Sequence, residues 1–357
     1  MIQELENHGT GSILHINKCG VERRMRLLIA GGLGFIGSNF IRYALINHSD
    51  IEIINVDKLS YGANPLNLKD YEHDERYKFI KCDITNKKLM RGLVKKVDAI
   101  VNFAAETHVD RSIANPWPFL RSNVEGVLSI LEAMRKHADN VRLVHVSTDE
   151  VYGDLPEGSF TEEDRLKPSS PYAASKAAAD MLCLSYHRTY GLDLIIARCT
   201  NNYGPYQFPE KLIPKTIIRS LLNLSIPLYG KGQNIRDWIY VQDFCEAIYL
   251  LLKKGKSGEI YNISAGNELK NIDVVKMILN MMDKPESLIT FVDDRPGHDI
   301  RYSLNSSKIR YQLGWRPRYR FQEGLKATID WYIVNEWWWK PLATEKILHP
   351  TPWKIRW

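Results

Sequence analysis

The chain has 357 residues, of which 44% are hydrophobic and 25% charged, and 48 basic against 42 acidic side chains leave a formal net charge of +6. Those are the values of an ordinary globular protein, long enough for two domains or for one nucleotide-binding core with an elaborated cap. With the charges well mixed and no apolar run near ~18 residues, neither a nucleic-acid-binding stripe nor a membrane span is expected, and a mildly basic surface suits an anionic substrate.

Residues 1–24 are polar, without clear periodicity, and lack the apolar stretch of a secretory signal; their acidic residues do not suit a transit peptide. They read as an N-terminal extension, with Met25 as an alternative start, and deleting them is expected to change activity and melting temperature little. Arg26-Leu27-Leu28-Ile29-Ala30 reads as a first buried strand. Gly31-Gly32-Leu33-Gly34-Phe35-Ile36-Gly37 follows, and then a helical segment. Glycines there permit a tight turn and close approach to a pyrophosphate, with the helix amino terminus offering free N–H groups. A second strand, 51–56, ends at Asp57, about 20 residues beyond Gly37, where an acid can accept hydrogen bonds from the adenosine ribose. The same carboxylate repels a 2′-phosphate, which favours NAD over NADP.

Strands are predicted again at 77–84, 98–105, 142–148 and 193–198, alternating with helical segments, which means βαβ units and a parallel sheet. Asp83 and Ile84 fall near the expected adenine position. Ser147-Thr148-Asp149-Glu150 sits at a strand's carboxyl end, where open α/β sheets place ligands. Tyr172 and Lys176, four apart on a helical segment, share one face. A lysine ammonium there favours the phenolate, a usable base, and the adjacent carboxyls offer a second proton transfer.

Beyond about residue 200 the texture turns to Pro, Gly and aromatic residues. The expected organisation is therefore an extension at 1–24, a Rossmann-type α/β domain at 25–200, a smaller substrate-binding domain mainly over 201–340, and a tail at 341–357. Segments 236–241 and 260–263 could return as strands to the first sheet. Six of the nine tryptophans lie after residue 330, and so dense a cluster of indoles needs burial, on the body or on a partner. The five cysteines (Cys19, Cys82, Cys183, Cys199, Cys245) show no paired spacing, which points to a reducing, cytosolic compartment. His108 and the other histidines show no metal spacing, so no metal is expected.

The glycine turn, Val56-Asp57-Lys58-Leu59-Ser60-Tyr61, residues 104–113, Ser147 to Gly153, Tyr172 to Lys176, residues 201–212, Arg236-Asp237-Trp238 and residues 295–299 together resemble the extended short-chain dehydrogenase/reductase family. Within it they resemble the dTDP-glucose 4,6-dehydratases, over about residues 25–340. Thr148-Asp149-Glu150 ahead of Val151-Tyr152-Gly153 is the discriminating piece, because epimerases of similar fold lack the paired acids. One departure is Ala30, where the family has threonine, a lost hydroxyl worth ~1 kcal/mol.

The resemblance implies a homodimer with bound NAD that oxidises a nucleoside diphosphate hexose, dTDP-glucose, at C4, eliminates water across C5 and C6, and returns the hydride to C6. It implies Tyr172 as the redox base with Lys176, Thr148 at the keto oxygen, Glu150 as base at C5 and Asp149 as acid at the 6-hydroxyl. Gly31, Gly34, Phe35, Ile36, Gly37, Asp57, Lys58, Asp83, Ile84, Ala104 and Ala105 would join Tyr172 and Lys176 around NAD. Thr107, Asn202, Arg236, Asn271, Arg295 and His298 would contact the substrate, with Lys211, Leu212, Pro227 and Tyr229 lining the nucleobase pocket. Competing readings are a UDP-sugar 4-epimerase or UDP-glucuronate decarboxylase, a GDP-mannose 4,6-dehydratase (disfavoured by Asp57), and a non-catalytic dinucleotide sensor or scaffold.

Overall fold

The computed structural model describes residues 24–137 and 140–357; the expectation for the N-terminal extension lies, but for Arg24, outside them, as does Cys19. Seven parallel strands form the central sheet: β1 (Met25–Ala30), β2 (Ile51–Asp57), β3 (Tyr77–Lys81), β4 (Ala99–Asn102), β5 (Arg142–Thr148), β6 (Leu194–Cys199) and β10 (Ile260–Ile263). Their order is β10-β6-β5-β4-β1-β2-β3, so the chain reverses its direction of travel across the sheet between β1 and β4. This is the Rossmann-type α/β fold expected from the alternation of elements. Strand 77–84 is shorter than predicted: past Lys81 the Cys82 N–H still donates to the Asp57 carbonyl, and the chain then turns, the Asn86 N–H donating to the Asp83 carbonyl at 2.9 Å.

Side chains along each strand divide between two cores. Leu27 and Ile29 of β1 join one with Phe40, Ile41 and Ala44 of the Phe35–Asn47 helix and Phe244, Ile248 and Leu251 of the Val241–Lys254 helix. Leu28 and Ala30 join the other with Met90, Ile130, Leu131, Ala179 and Cys183, from helices Lys87–Val94, Gly126–His137 and Pro171–Tyr190. Both faces are thus covered, as a parallel sheet requires, and the continuous apolar runs in its strands follow from that.

Of the two late segments expected to extend this sheet, 260–263 does and 236–241 does not. β9 (Ile235–Tyr240) instead pairs in parallel with β7 (Asn201–Tyr203) and antiparallel with β11 (Glu268–Lys270). β7 occupies a stretch that reads as turn chemistry, and it is this short strand that draws β9 away. β8 (Ile226–Tyr229) and β12 (Ile289–Val292) form a two-stranded parallel pair. A third core gathers Tyr203, Ile217, Trp238, Leu325 and Ile329 with Trp338 and Trp339. Both indoles are 1% exposed, and their N–H groups donate to Asn67 Oδ1 and the Tyr332 carbonyl, each at 2.8 Å. The tail therefore docks on the body, while Trp337 stays half exposed.

Candidate active site

The carboxyl ends of the strands open onto a cleft at the point where the strand order reverses, the expected ligand position in an open α/β sheet. Its first chamber is lined by Gly31, Gly34, Phe35, Ile36, Gly37, Asp57, Lys58, Asp83, Ile84, Ala104 and Ala105, and also by Thr107, Thr148, Asp149, Glu150, Tyr172, Lys176, Asn202 and Lys211. A second chamber shares Thr107, Glu150 and Lys211 and adds Leu212, Pro227, Tyr229, Arg236, Asn271, Arg295 and His298. Every residue assigned from the sequence to the cofactor, the substrate or catalysis lines one chamber or the other.

The glycine turn has the shape a pyrophosphate needs. A Cβ on Gly31, whose φ is +76°, would lie 2.6 Å from the Ala104 backbone, and one on Gly37 would lie 2.4 Å from the Gly31 carbonyl oxygen. Both glycines serve close packing of the turn. Gly34 differs: the nearest atom to a Cβ there is the Gly31 oxygen at 3.4 Å, so the space it leaves belongs to the cleft. Gly34 also caps the Phe35–Asn47 helix, whose first N–H groups favour an anion. Asp57 Oδ2 accepts from Leu33 N at 3.1 Å and Oδ1 from Leu59 N at 2.8 Å, which fixes the carboxylate at the end of β2. Lys58 Nζ donates to Ser122 Oγ at 2.6 Å. The residues present fit a dinucleotide with a free ribose 2′-hydroxyl.

The Pro171–Tyr190 helix is set by Ser170, whose Oγ accepts from Ala173 N at 3.1 Å, by Pro171 in its first turn, and by Gly191 in the left-handed region at its end. It carries Tyr172 and Lys176, 6% and 3% exposed, against the end of β5. Burial and then the Glu150 charge push the Tyr172 phenol well above its ordinary value, against a hydrogen bond with Thr148. Lys176 stands one turn further along the same helix. The ammonium donates to the Val146 carbonyl at 2.7 Å, and burial lowers its own pKa.

Thr148 caps the short turn Asp149–Val151, accepting from Glu150 N at 3.3 Å. Burial, and next the charge of Glu150, push the Asp149 carboxyl up to about 8. Burial also raises Glu150, opposed by Arg295, Arg236 and Lys211. Both carboxyls are therefore raised by burial, and only Glu150 faces three cations that favour its charged form.

In the second chamber, Arg236 is held by the carbonyls of Asp299 (2.9 Å) and Ile235 (2.7 Å) and lies over the Tyr302 ring. Lys211 Nζ donates to the Thr107 carbonyl at 3.1 Å, and His298 Nδ1 meets Asp294 Oδ1 at 2.5 Å. Sequence reasoning assigned no role to Asp110, although it falls inside a stretch that carries the resemblance. It is 1% exposed, accepts from Arg295 Nη1 at 2.9 Å and from Tyr229 Oη at 2.8 Å, and so ties two residues of the second chamber together. Glu210, buried 3.2 Å from His108 Nδ1, lines both chambers and was also missed. Among the described residues no group of three or more His, Cys, Asp or Glu side chains could hold a metal ion.

Residues 28–328 match the family model described as GDP-mannose 4,6 dehydratase. A dTDP-glucose 4,6-dehydratase of Streptomyces niveus is 48% identical over 324 residues, 90% of this chain and 96% of the relative. The solved structure of DesIV, a dTDP-glucose 4,6-dehydratase from Streptomyces venezuelae with NAD and TYD bound, superposes with a TM-score of 0.87 at 48% identity, covering 89% of this chain and all of that one. A UDP-glucose 4-epimerase of Thermotoga maritima shares the fold at TM-score 0.81 but only 26% identity, over 87% of this chain and 100% of its own. The chain belongs to the nucleotide-sugar 4,6-dehydratase family that the matching model describes, on the branch of the dTDP-glucose 4,6-dehydratases.

Proposed function

We propose that this protein is an NAD-dependent hydro-lyase that converts dTDP-glucose to dTDP-4-keto-6-deoxyglucose. The observation that carries the reading is the pair Asp149–Glu150 at the end of β5, a carboxyl raised by burial beside one that faces cations, next to Tyr172. Simple 4-epimerisation has no use for such a pair, because it loses no water.

The glycine turn and the helix behind it bind the NAD pyrophosphate, and Asp57 receives the ribose hydroxyls. When bound there, NAD would supply the hydride acceptor for C4 of the hexose and, once reduced, the hydride donor for C6. Tyr172 receives the proton of the 4-hydroxyl, and the bound substrate places that proton transfer beside Lys176, whose ammonium stabilises the anionic phenolate form required for it. With substrate bound, the Thr148 hydroxyl turns from Asp149 to donate to the C4 oxygen, and the C4 ketone acidifies the C5 proton. Glu150 removes that proton, Asp149 protonates the departing 6-hydroxyl, and water leaves. When the hydride reaches C6, Glu150 returns a proton to C5; solvent takes the proton from Tyr172 and restores the one on Asp149. One water is lost and no net redox change remains. Arg236, Arg295 and Asn202 suit the diphosphate, since a guanidinium can make two parallel bonds to phosphate oxygens.

Two further features complete the reading. Trp117, Leu120 and Met181 are exposed on the helices around residues 117–137 and 171–190, a surface that supports pairing of two copies. No helix among the described residues is long and apolar enough to cross a membrane, and Cys82, Cys183, Cys199 and Cys245 are free thiols, which supports a cytosolic location. Incubation with NAD and dTDP-glucose tests the activity: the product is one water lighter than the substrate, and an isomer of unchanged mass would overturn the assignment in favour of epimerisation.

A further inference from the structure

Residues 349–357 line neither chamber but touch residues that line each of them. Their Pro352–Lys354 turn packs against the Val109–Ala114 helix, and Lys354 Nζ pairs with Asp293 Oδ2 at 2.5 Å. Two indoles point inward from this segment. Trp353 stands edge-on to Tyr229, with ring centroids 4.8 Å apart and planes at 81°. Trp357 stands edge-on to Tyr61, at 5.4 Å and 82°, and to His108 at 6.3 Å, with the Arg111 guanidinium 5.3 Å from its ring. Arg111 in turn lies 3.7 Å over the Tyr61 ring. Tyr229 lines the second chamber; Tyr61 and Arg111 line the first. Each indole therefore backs a side chain that itself walls one ligand.

We propose that Trp353 and Trp357 are positioning residues: Trp353 holds the Tyr229 wall for the nucleotide of the sugar nucleotide, and Trp357 holds the Tyr61–Arg111 wall for the dinucleotide. The inference rests on the reading of the two chambers as sugar-nucleotide and NAD sites. Edge-to-face aromatic contact fixes both the position and the tilt of the ring it touches, and a cation over two rings fixes a third group. Tyr229 also donates to Asp110, which holds Arg295, so the Trp353 contact extends to a residue suited to the diphosphate. Because one segment carries both contacts, ordering either wall favours the other, and the two ligands strengthen each other's binding reciprocally.

The test compares the full chain with Trp353→Ala, Trp353→Phe and a chain ending at Ile355, reading thymidine 5′-diphosphate affinity by calorimetry and the half-life of bound NAD under dialysis. Trp353→Ala weakens thymidine diphosphate binding at least tenfold, with NAD half-life changed less than threefold, and Trp353→Phe restores most of the affinity. The chain ending at Ile355 shortens NAD half-life at least fivefold, and thymidine diphosphate lengthens it less than in the full chain. Thermal melting checks that all three variants remain folded. Changes below twofold in both readouts would overturn the inference, and so would an equal loss of both in each variant together with a large drop in melting temperature. If the full chain itself failed to bind thymidine diphosphate, the assignment of the chambers would fall instead.

Discussion

The Thr148 hydroxyl donates to Oδ1 of Asp149 at 3.0 Å, while Oδ2 of the same carboxyl is buried without a protein partner. An oxygen that accepts a hydrogen bond is the poorer place for a proton. A proton on Asp149 is therefore favoured on Oδ2, the oxygen free to give it up. Thr148 thus orients the acid as well as capping the turn that carries Glu150.

Replacing either carboxyl should stop elimination without emptying the cofactor site. Asp149→Asn and Glu150→Gln are each expected to slow dehydration by roughly 10²–10⁴, the usual share of a general acid or base. NAD content after purification should match the parent protein. Full turnover in either variant would remove that residue from the mechanism.

The pH dependence follows from the Asp149 carboxyl standing at about 8. An acid must be protonated to act, so the elimination rate falls as pH rises through about 8, and Asp149→Asn removes that limb from its residual rate. Stability has the same sign. The folded carboxyl lies above the unfolded value of about 4, so between those pH values the native state binds more protons than the unfolded one, and stability falls as pH rises across that window. Urea midpoints measured from pH 5 to pH 9 should decline relative to those of Asp149→Asn; parallel curves would contradict the raised carboxyl.

Two glycines of one turn should respond in opposite ways. Gly34→Ala meets only the Gly31 oxygen at 3.4 Å, so melting should hold while NAD retention falls at least tenfold. Gly37→Ala meets the Gly31 oxygen at 2.4 Å and Gly32 Cα at 2.8 Å, an overpacking that costs about 1–3 kcal/mol of stability. Denaturant titration and NAD content separate the two effects.

Beneath the Pro171–Tyr190 helix, Arg198 Nε donates to Asp180 Oδ2 at 2.9 Å, and the two side chains are 1% and 0% exposed. Arg198 Nη1 also donates to Tyr152 Oη at 2.7 Å. Arg198→Met leaves a carboxylate buried without its cation, which costs about 3–5 kcal/mol. A urea titration showing less than 1 kcal/mol would mean that Asp180 simply takes up a proton.

The features legible in sequence were local ones. A glycine turn between a strand and a helix, an acid ending the second strand, and a Tyr/Lys pair on one helix face are each fixed by a few neighbouring residues. What escaped was set by pairing over distance. Asp110 meets Tyr229 and Arg295, separated from it by 119 and 185 positions, and no periodicity near residue 110 signals those partners. The placement of β9 depended likewise on β7, three residues long.

The most direct test of the central claim is to follow a single hydride. With deuterium at C4 of dTDP-glucose and unlabelled NAD on the protein, mass and NMR analysis of the product should find the label at C6, in one methyl group, after one turnover or many. Deuterium lost to solvent, retained at C4 or found only in the released cofactor would contradict it.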